Sequence, residues 1–130
     1  YGAWLRAPAG RLLHPARREA LHAHLRSTRL ALAVNRARIV GALGPIAPET
    51  DAPGGLFVAP SVAGWFGKRV GGETIDAERL PRILYERTHL VVNSGAWCSD
   101  PERIRLVFSL PEDRVQEAAH RLEAFVGELE

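Results

Sequence analysis

Lysine is almost missing from this chain. Lys68 is the only one in 130 residues, so chemistry that needs a lysine uses that side chain or one from outside the chain. Cysteine is equally scarce: Cys98 stands alone, cannot close an internal disulfide, and fits a reducing compartment. No apolar run approaches the roughly 20 residues of a membrane helix, and the opening YGAWLRAPAG lacks the flanked apolar segment of a secretory signal. The expectation is a cytoplasmic protein with no membrane partner. Aromatic residues make up 7 % of the chain, too few for the stacking platform of a sheet that reads RNA. A net charge of +2, from 17 basic and 15 acidic residues, supplies no strong field, so nucleic acid is not expected as a partner either.

What is present is ordinary for a globular protein. Apolar residues at 46 % and charged residues at 25 % fit a folded domain, and a chain of this length buries about two thirds of its unfolded surface. From Pro15 to Leu43 the sequence is rich in Ala, Leu and Arg, with no glycine before Gly41, which predicts one long helix. Leu21, Leu25, Leu32, Ile39 and Leu43 fall on one stripe of it, with Arg18, Arg26, Arg29 and Arg36 mainly off it. His14, His22 and His24 invite a metal reading, but His22 and His24 point to different sides of a helix, so no metal site is expected.

The Pro- and Gly-rich stretch Gly44–Gly55 reads as a loop, followed by a short strand at Leu56–Val58. Ala59–Gly72 reads as a mobile surface loop anchored by Trp65 and Phe66. Its glycines and Lys68 do not form a Walker A motif, because no GKS or GKT follows and no strand leads directly into a helix. A helix over Ala77–Arg87 is expected, capped by Thr74 or Asp76, with Leu80, Ile83 and Leu84 on one face. His89–Asn93 reads as a strand and Ser94–Asp100 as a turn. A further strand covers Ile104–Phe108, and a final helix from Ser109 or Pro111 carries Val115, Ala118, Leu122, Phe125, Val126 and Leu129 on its buried stripe. The fold class is therefore α+β: a small two-layer domain with a long N-terminal helix and a short sheet of two to four strands covered by helices.

Arg105 stands out in this pattern because it interrupts the apolar run Ile104, Leu106, Val107, Phe108. Alternation places it with Arg103 on one strand face. Two readings follow: a solvated charge on an exposed face, or an anion binder whose planar fork takes a carboxylate bidentately. Cys98 reads as an inert, buried small residue, with a reactive thiol as the alternative, since no histidine is arranged to activate it.

The segments GGLFVAPSVAGWFGKRVGG, HLVVNSGAWC and ERIRLVFSLPEDRVQEAAHRLEAF, in this order and with these loop lengths, resemble the C-terminal small domain of fold-type I pyridoxal-phosphate aminotransferases, closest to the bacterial aspartate aminotransferase group. The resemblance covers about Asp51 to Leu129, and the helix before it is similar in place to the one linking large and small domains. It implies residues 1–50 as an N-terminal segment and interdomain-type helix, and 51–130 as the α/β small domain of a longer enzyme. It also implies that Arg105 binds the substrate α-carboxylate, with Asn93 and Trp97 as further substrate-binding positions. The chain departs from the family at Asn93, Ser94, Trp97 and Cys98, so the side chain preferred need not be that of aspartate. Pyridoxal phosphate would be held mainly by a large domain, because Lys68 lies in the family's "GK" segment and not in the context of the cofactor lysine. The implied partners are an amino acid or 2-oxo acid, the large domain of the same enzyme, and a second copy in a homodimer, and the chain alone is expected to be inactive. A non-catalytic α+β ligand-binding or regulatory module remains the alternative reading of the same elements.

Overall fold

The computed structural model describes residues 15–44 and 55–130. The expectations for Tyr1–His14 and for most of the Gly44–Gly55 loop lie outside these residues. Contacts divide the chain into two units, Tyr1–Ala31 and Leu32–Glu130.

Helix α1 runs Pro15–Ala42, with proline in the first turn where its missing N–H costs nothing. It continues through Gly41 and ends in a turn at Gly44, whose φ of 67° suits a residue without a Cβ. In the first unit every described residue, Pro15 to Ala31, is exposed, including Leu21 and Leu25 of the expected stripe. Burial begins in the second unit, at Asn35, Ile39, Ala42 and Leu43. Asn35 is the one polar residue of that buried edge. Its Nδ2 donates to the carbonyls of Phe108 at 3.2 Å and Leu110 at 3.0 Å, tying α1 to the chain leaving the last strand.

Within Leu32–Glu130 the described residues form a three-stranded antiparallel sheet and a two-stranded hairpin. The sheet takes β1 (Phe57–Val58), β4 (Asn93–Ser94) and β5 (Ile104–Val107), with β5 in the centre. Phe57 faces Val107, and Asn93 faces Arg105. Along β5 burial alternates: Ile104 and Leu106 point into the core, Arg105 and Val107 point out. Helix α2 (Leu80–Thr88) and helix α3 (Glu112–Gly127) complete the layer. α3 buries Val115, Ala119, Leu122 and Phe125, while Ala118, Val126 and Leu129 are partly buried at its margin. The fold is α+β, as the sequence predicts.

Three local expectations are corrected. Ala59–Gly72 is not a mobile loop: Trp65 is fully buried and packs on Phe125 at 5.8 Å, and the segment ends in a hairpin of β2 (Arg69–Val70) and β3 (Glu73–Thr74). Gly71 and Gly72, at φ 55° and 87°, supply the left-handed pair that such a two-residue turn requires. His89–Asn93 is not a strand. His89 ends α2 in the left-handed conformation, Val91 is exposed, and pairing starts only at Asn93. Helix α2 starts at Leu80 rather than Ala77 and has no side-chain N-cap; Asp76 instead closes the turn ahead of it, its Oδ1 accepting from the N–H groups of Glu78 at 3.0 Å and Arg79 at 2.8 Å.

Candidate anion site on the sheet face

Arg105 stands on the outer face of the central strand, and its two direct partners are neutral. With the Asn93 amide oriented so that its oxygen meets the guanidinium, that oxygen accepts from Nη2 at 2.7 Å and from Nε at 3.3 Å. On the other side the guanidinium carbon lies 5.0 Å from the centroid of the Phe57 ring, a cation–π distance. The three residues come from the three strands β4, β5 and β1. Register alone brings them together. Asn93 is directly opposite Arg105, and Phe57, opposite Val107, is the diagonal neighbour.

The β4 register is fixed by the turn that follows it. Ser94 Oγ accepts from the Ala96 N–H at 3.2 Å and opens a helical turn over Gly95–Cys98. The Gly95 N–H donates to the Arg103 carbonyl at 2.8 Å, one step further along the β4–β5 ladder, and the Asp100 N–H donates to the Gly95 carbonyl at 3.0 Å. A Cβ on Gly95 would sit 2.1 Å from the Asp100 oxygen and 2.6 Å from the Arg103 oxygen. Only glycine fits this approach.

Arg103 shares the outer face but is committed elsewhere. Its Nε meets Asp100 at 2.8 Å and its Nη1 donates to the Ala59 carbonyl at 2.7 Å. Arg38, Arg79, Arg82, Arg87 and Arg121 likewise carry acidic partners. Among the described residues no carboxylate pairs with Arg105. Asn93 occupies one N–H on Nε and one on Nη2, which leaves the end-on fork, one N–H from each terminal nitrogen, without a partner among the described residues. That fork matches the two oxygens of a carboxylate.

Of the expected site residues, Arg105 and Asn93 are thus in contact. Trp97 is 82 % exposed on the Gly95–Cys98 turn, and no ring contact joins it to Arg105. Cys98 on the same turn is exposed, which corrects the expectation of burial: the short helical turn points away from the core. Phe57 was not singled out by the sequence, although strand alternation places it outward beside the buried Val58. Among the described residues no group of three His, Cys, Asp or Glu side chains gathers as metal ligands. No helix among them is long and apolar enough to cross a membrane.

Lys68 does not form a cofactor site. Its backbone closes the base of the β2–β3 hairpin, donating to the Trp65 carbonyl at 3.1 Å and accepting from the Ile75 N–H at 2.9 Å. The described residues bring no acid to it as an ion pair and it lines none of the clefts on α1, on α3 or beside His89. The described residues do not fit pyridoxal phosphate on their own.

No protein-family model and no curated protein matches the sequence. Among solved structures the chain is similar to the aspartate aminotransferase from Rhizobium meliloti, with a TM-score of 0.67 and 23 % identity. The match covers 76 % of this chain and 26 % of that one, so this chain spans about a quarter of the protein it resembles. The likeness is one of fold: an aminotransferase-like α+β arrangement.

Proposed function

We propose that the chain is the C-terminal small domain of a pyridoxal-phosphate-dependent aminotransferase. In this reading Arg105 holds the substrate α-carboxylate, and the domain closes over a cofactor site on a large domain, in a homodimeric enzyme acting on an amino acid and a 2-oxo acid. The observation that carries it is the state of Arg105: a guanidinium fixed by a neutral amide and an aromatic face, with its end-on fork open. The similarity in fold to an aspartate aminotransferase supports the same reading.

The physical role follows from the fork. Transamination labilises one bond at the α-carbon, and a two-point grip on the carboxylate fixes the rotation about that carbon as a single ammonium would not. Asn93 contributes by setting the plane of the guanidinium. Pyridoxal phosphate would supply the electron sink from the large domain.

The anchor is tested by titrating the chain with acetate and following the Arg105 Nε–H resonance. A charge-assisted two-point bond of about 2 kcal/mol corresponds to a dissociation constant of about 30 mM. A saturable shift in that range, weakened in Asn93→Ala and abolished in Arg105→Leu, is the expected result. A shift no different from that of the exposed, acid-paired Arg103 returns Arg105 to a solvated charge. In parallel, borohydride reduction with pyridoxal phosphate should leave no stoichiometric adduct on Lys68. A specific adduct there would overturn the assignment of the cofactor to another domain.

A further inference from the structure

The composition of the outer sheet face also selects among carboxylates. Among the described residues Arg105 is the single open cation there: Arg103, two residues earlier on the same face, already carries Asp100 at 2.8 Å. A second carboxylate on a ligand would find that charge neutralised, with the Asp100 carboxylate itself beside it. Toward β1, by contrast, Arg105 adjoins an exposed apolar pair. Phe57 and Val107 form a directly opposed cross-strand pair, 45 % and 46 % exposed, next to the guanidinium. The Phe57 ring already lies against one face of Arg105, so a ligand gripped end-on by the fork has an aromatic and a branched aliphatic side chain within reach of its substituent.

We infer that the Arg105 site prefers monocarboxylates with an apolar, preferably aromatic, side chain and draws no added affinity from a second carboxylate. This rests on the reading of Arg105 as carboxylate anchor and adds the class of acid that the anchor accepts.

The test uses the full chain and three ligands, acetate, succinate and 3-phenylpropionate, each followed at the Arg105 Nε–H. An aromatic contact with Phe57 makes 3-phenylpropionate about three- to tenfold tighter than acetate. Succinate gains no more than about twofold, from offering two carboxylates to one site. Intermolecular NOEs from the phenyl protons to the Phe57 ring and the Val107 methyls are expected. Phe57→Ala should bring the ratio of 3-phenylpropionate to acetate affinity down to about one, whatever it does to acetate binding itself. The NOEs need no variant and keep the test independent of any effect of Phe57→Ala on folding. Succinate binding tighter than 3-phenylpropionate, or equal binding of all three acids, overturns the inference and leaves the anchor standing. A response to none of them removes the anchor, and the inference with it.

Discussion

Gly95→Ala should dismantle the candidate site without touching any of its side chains. The φ of Gly95 is not in the left-handed region, so alanine suffers no backbone penalty there and the whole effect is steric. The new Cβ would lie 2.1 Å from one backbone oxygen and 2.6 Å from another. Neither can retreat freely. The Asp100 carbonyl accepts from the Arg103 N–H at 3.2 Å, and the Arg103 carbonyl accepts from Gly95 itself at 2.8 Å. Relief therefore means opening the turn and losing the last rung of the β4–β5 ladder. Crowding of this kind costs about 1–3 kcal/mol, and the two backbone bonds at Gly95 add about 1 kcal/mol each. The sum, about 3–5 kcal/mol, is a large share of the roughly 5–15 kcal/mol that holds a domain together. Gly41→Ala is the matched control, since nothing lies within 4 Å of its Cβ and it sits inside α1; it should stabilise by about 0.5–1 kcal/mol. Urea unfolding measures both, and the Arg105 Nε–H resonance reports whether Asn93 has moved. A loss below about 1 kcal/mol with that resonance unchanged would refute the claim that Gly95 sets the register of the site.

Two further perturbations address parts of the fold away from the sheet face. Asn35→Ala strands the carbonyls of Phe108 and Leu110, which lose donors at 3.2 and 3.0 Å; a cost of about 2–4 kcal/mol in urea unfolding is expected, and Asn35→Asp should cost more because it replaces the donor with a charge at a buried position. The Glu73 carboxyl is held below its ordinary 4.5 by the hydrogen bond from Arg82, with the Arg82 charge adding to it. A depressed folded value means that the pair's contribution is present above the ordinary value and fades as pH falls through the depressed one. Arg82→Leu should move the Glu73 titration seen by carboxyl NMR up toward 4.5, and an unchanged midpoint would contradict the pairing.

The helices were legible because their signal is long. In α3 Val115, Leu122 and Phe125 of the expected stripe are buried, with Ala119 rather than Ala118 filling the turn between them. The same spacing in α1 says which residues share a stripe but not where burial starts, and Leu21 and Leu25 remain exposed while Ile39 is buried. Short strands fared worse. Arg69–Val70 and Glu73–Thr74 are each two residues, too short to carry an alternation, and their glycine turn looks like any loop until Val70 and Ile75 are seen in the core. Leu90 to Val92 have the composition of a strand, yet the left-handed turn at His89 and the hydrogen bond from the Leu90 N–H to Thr88 Oγ1 at 3.2 Å fix that backbone locally. At the site, Arg105 was visible as a charge inside an apolar run. Its link to Asn93 needed the β4–β5 register, a property of the Gly95 turn that no residue pattern announces.

A neutral partner is what separates an anchor from an ordinary strand arginine. Holding an arginine in one rotamer costs on the order of 2 kcal/mol of side-chain entropy, and an acidic neighbour usually supplies the compensation, as Asp100 does for Arg103. Such a partner also neutralises the charge and occupies the fork. Asn93 accepts from Nε and Nη2 without adding charge, and Phe57 covers a face of the guanidinium without using a hydrogen. The positive charge therefore remains available to a ligand whose geometry the fork can match. A fully solvated arginine keeps its charge but not its orientation, and an ion-paired one keeps its orientation but not its charge. Arg105 keeps both, because its neutral partners Asn93 and Phe57 orient the guanidinium without neutralising it.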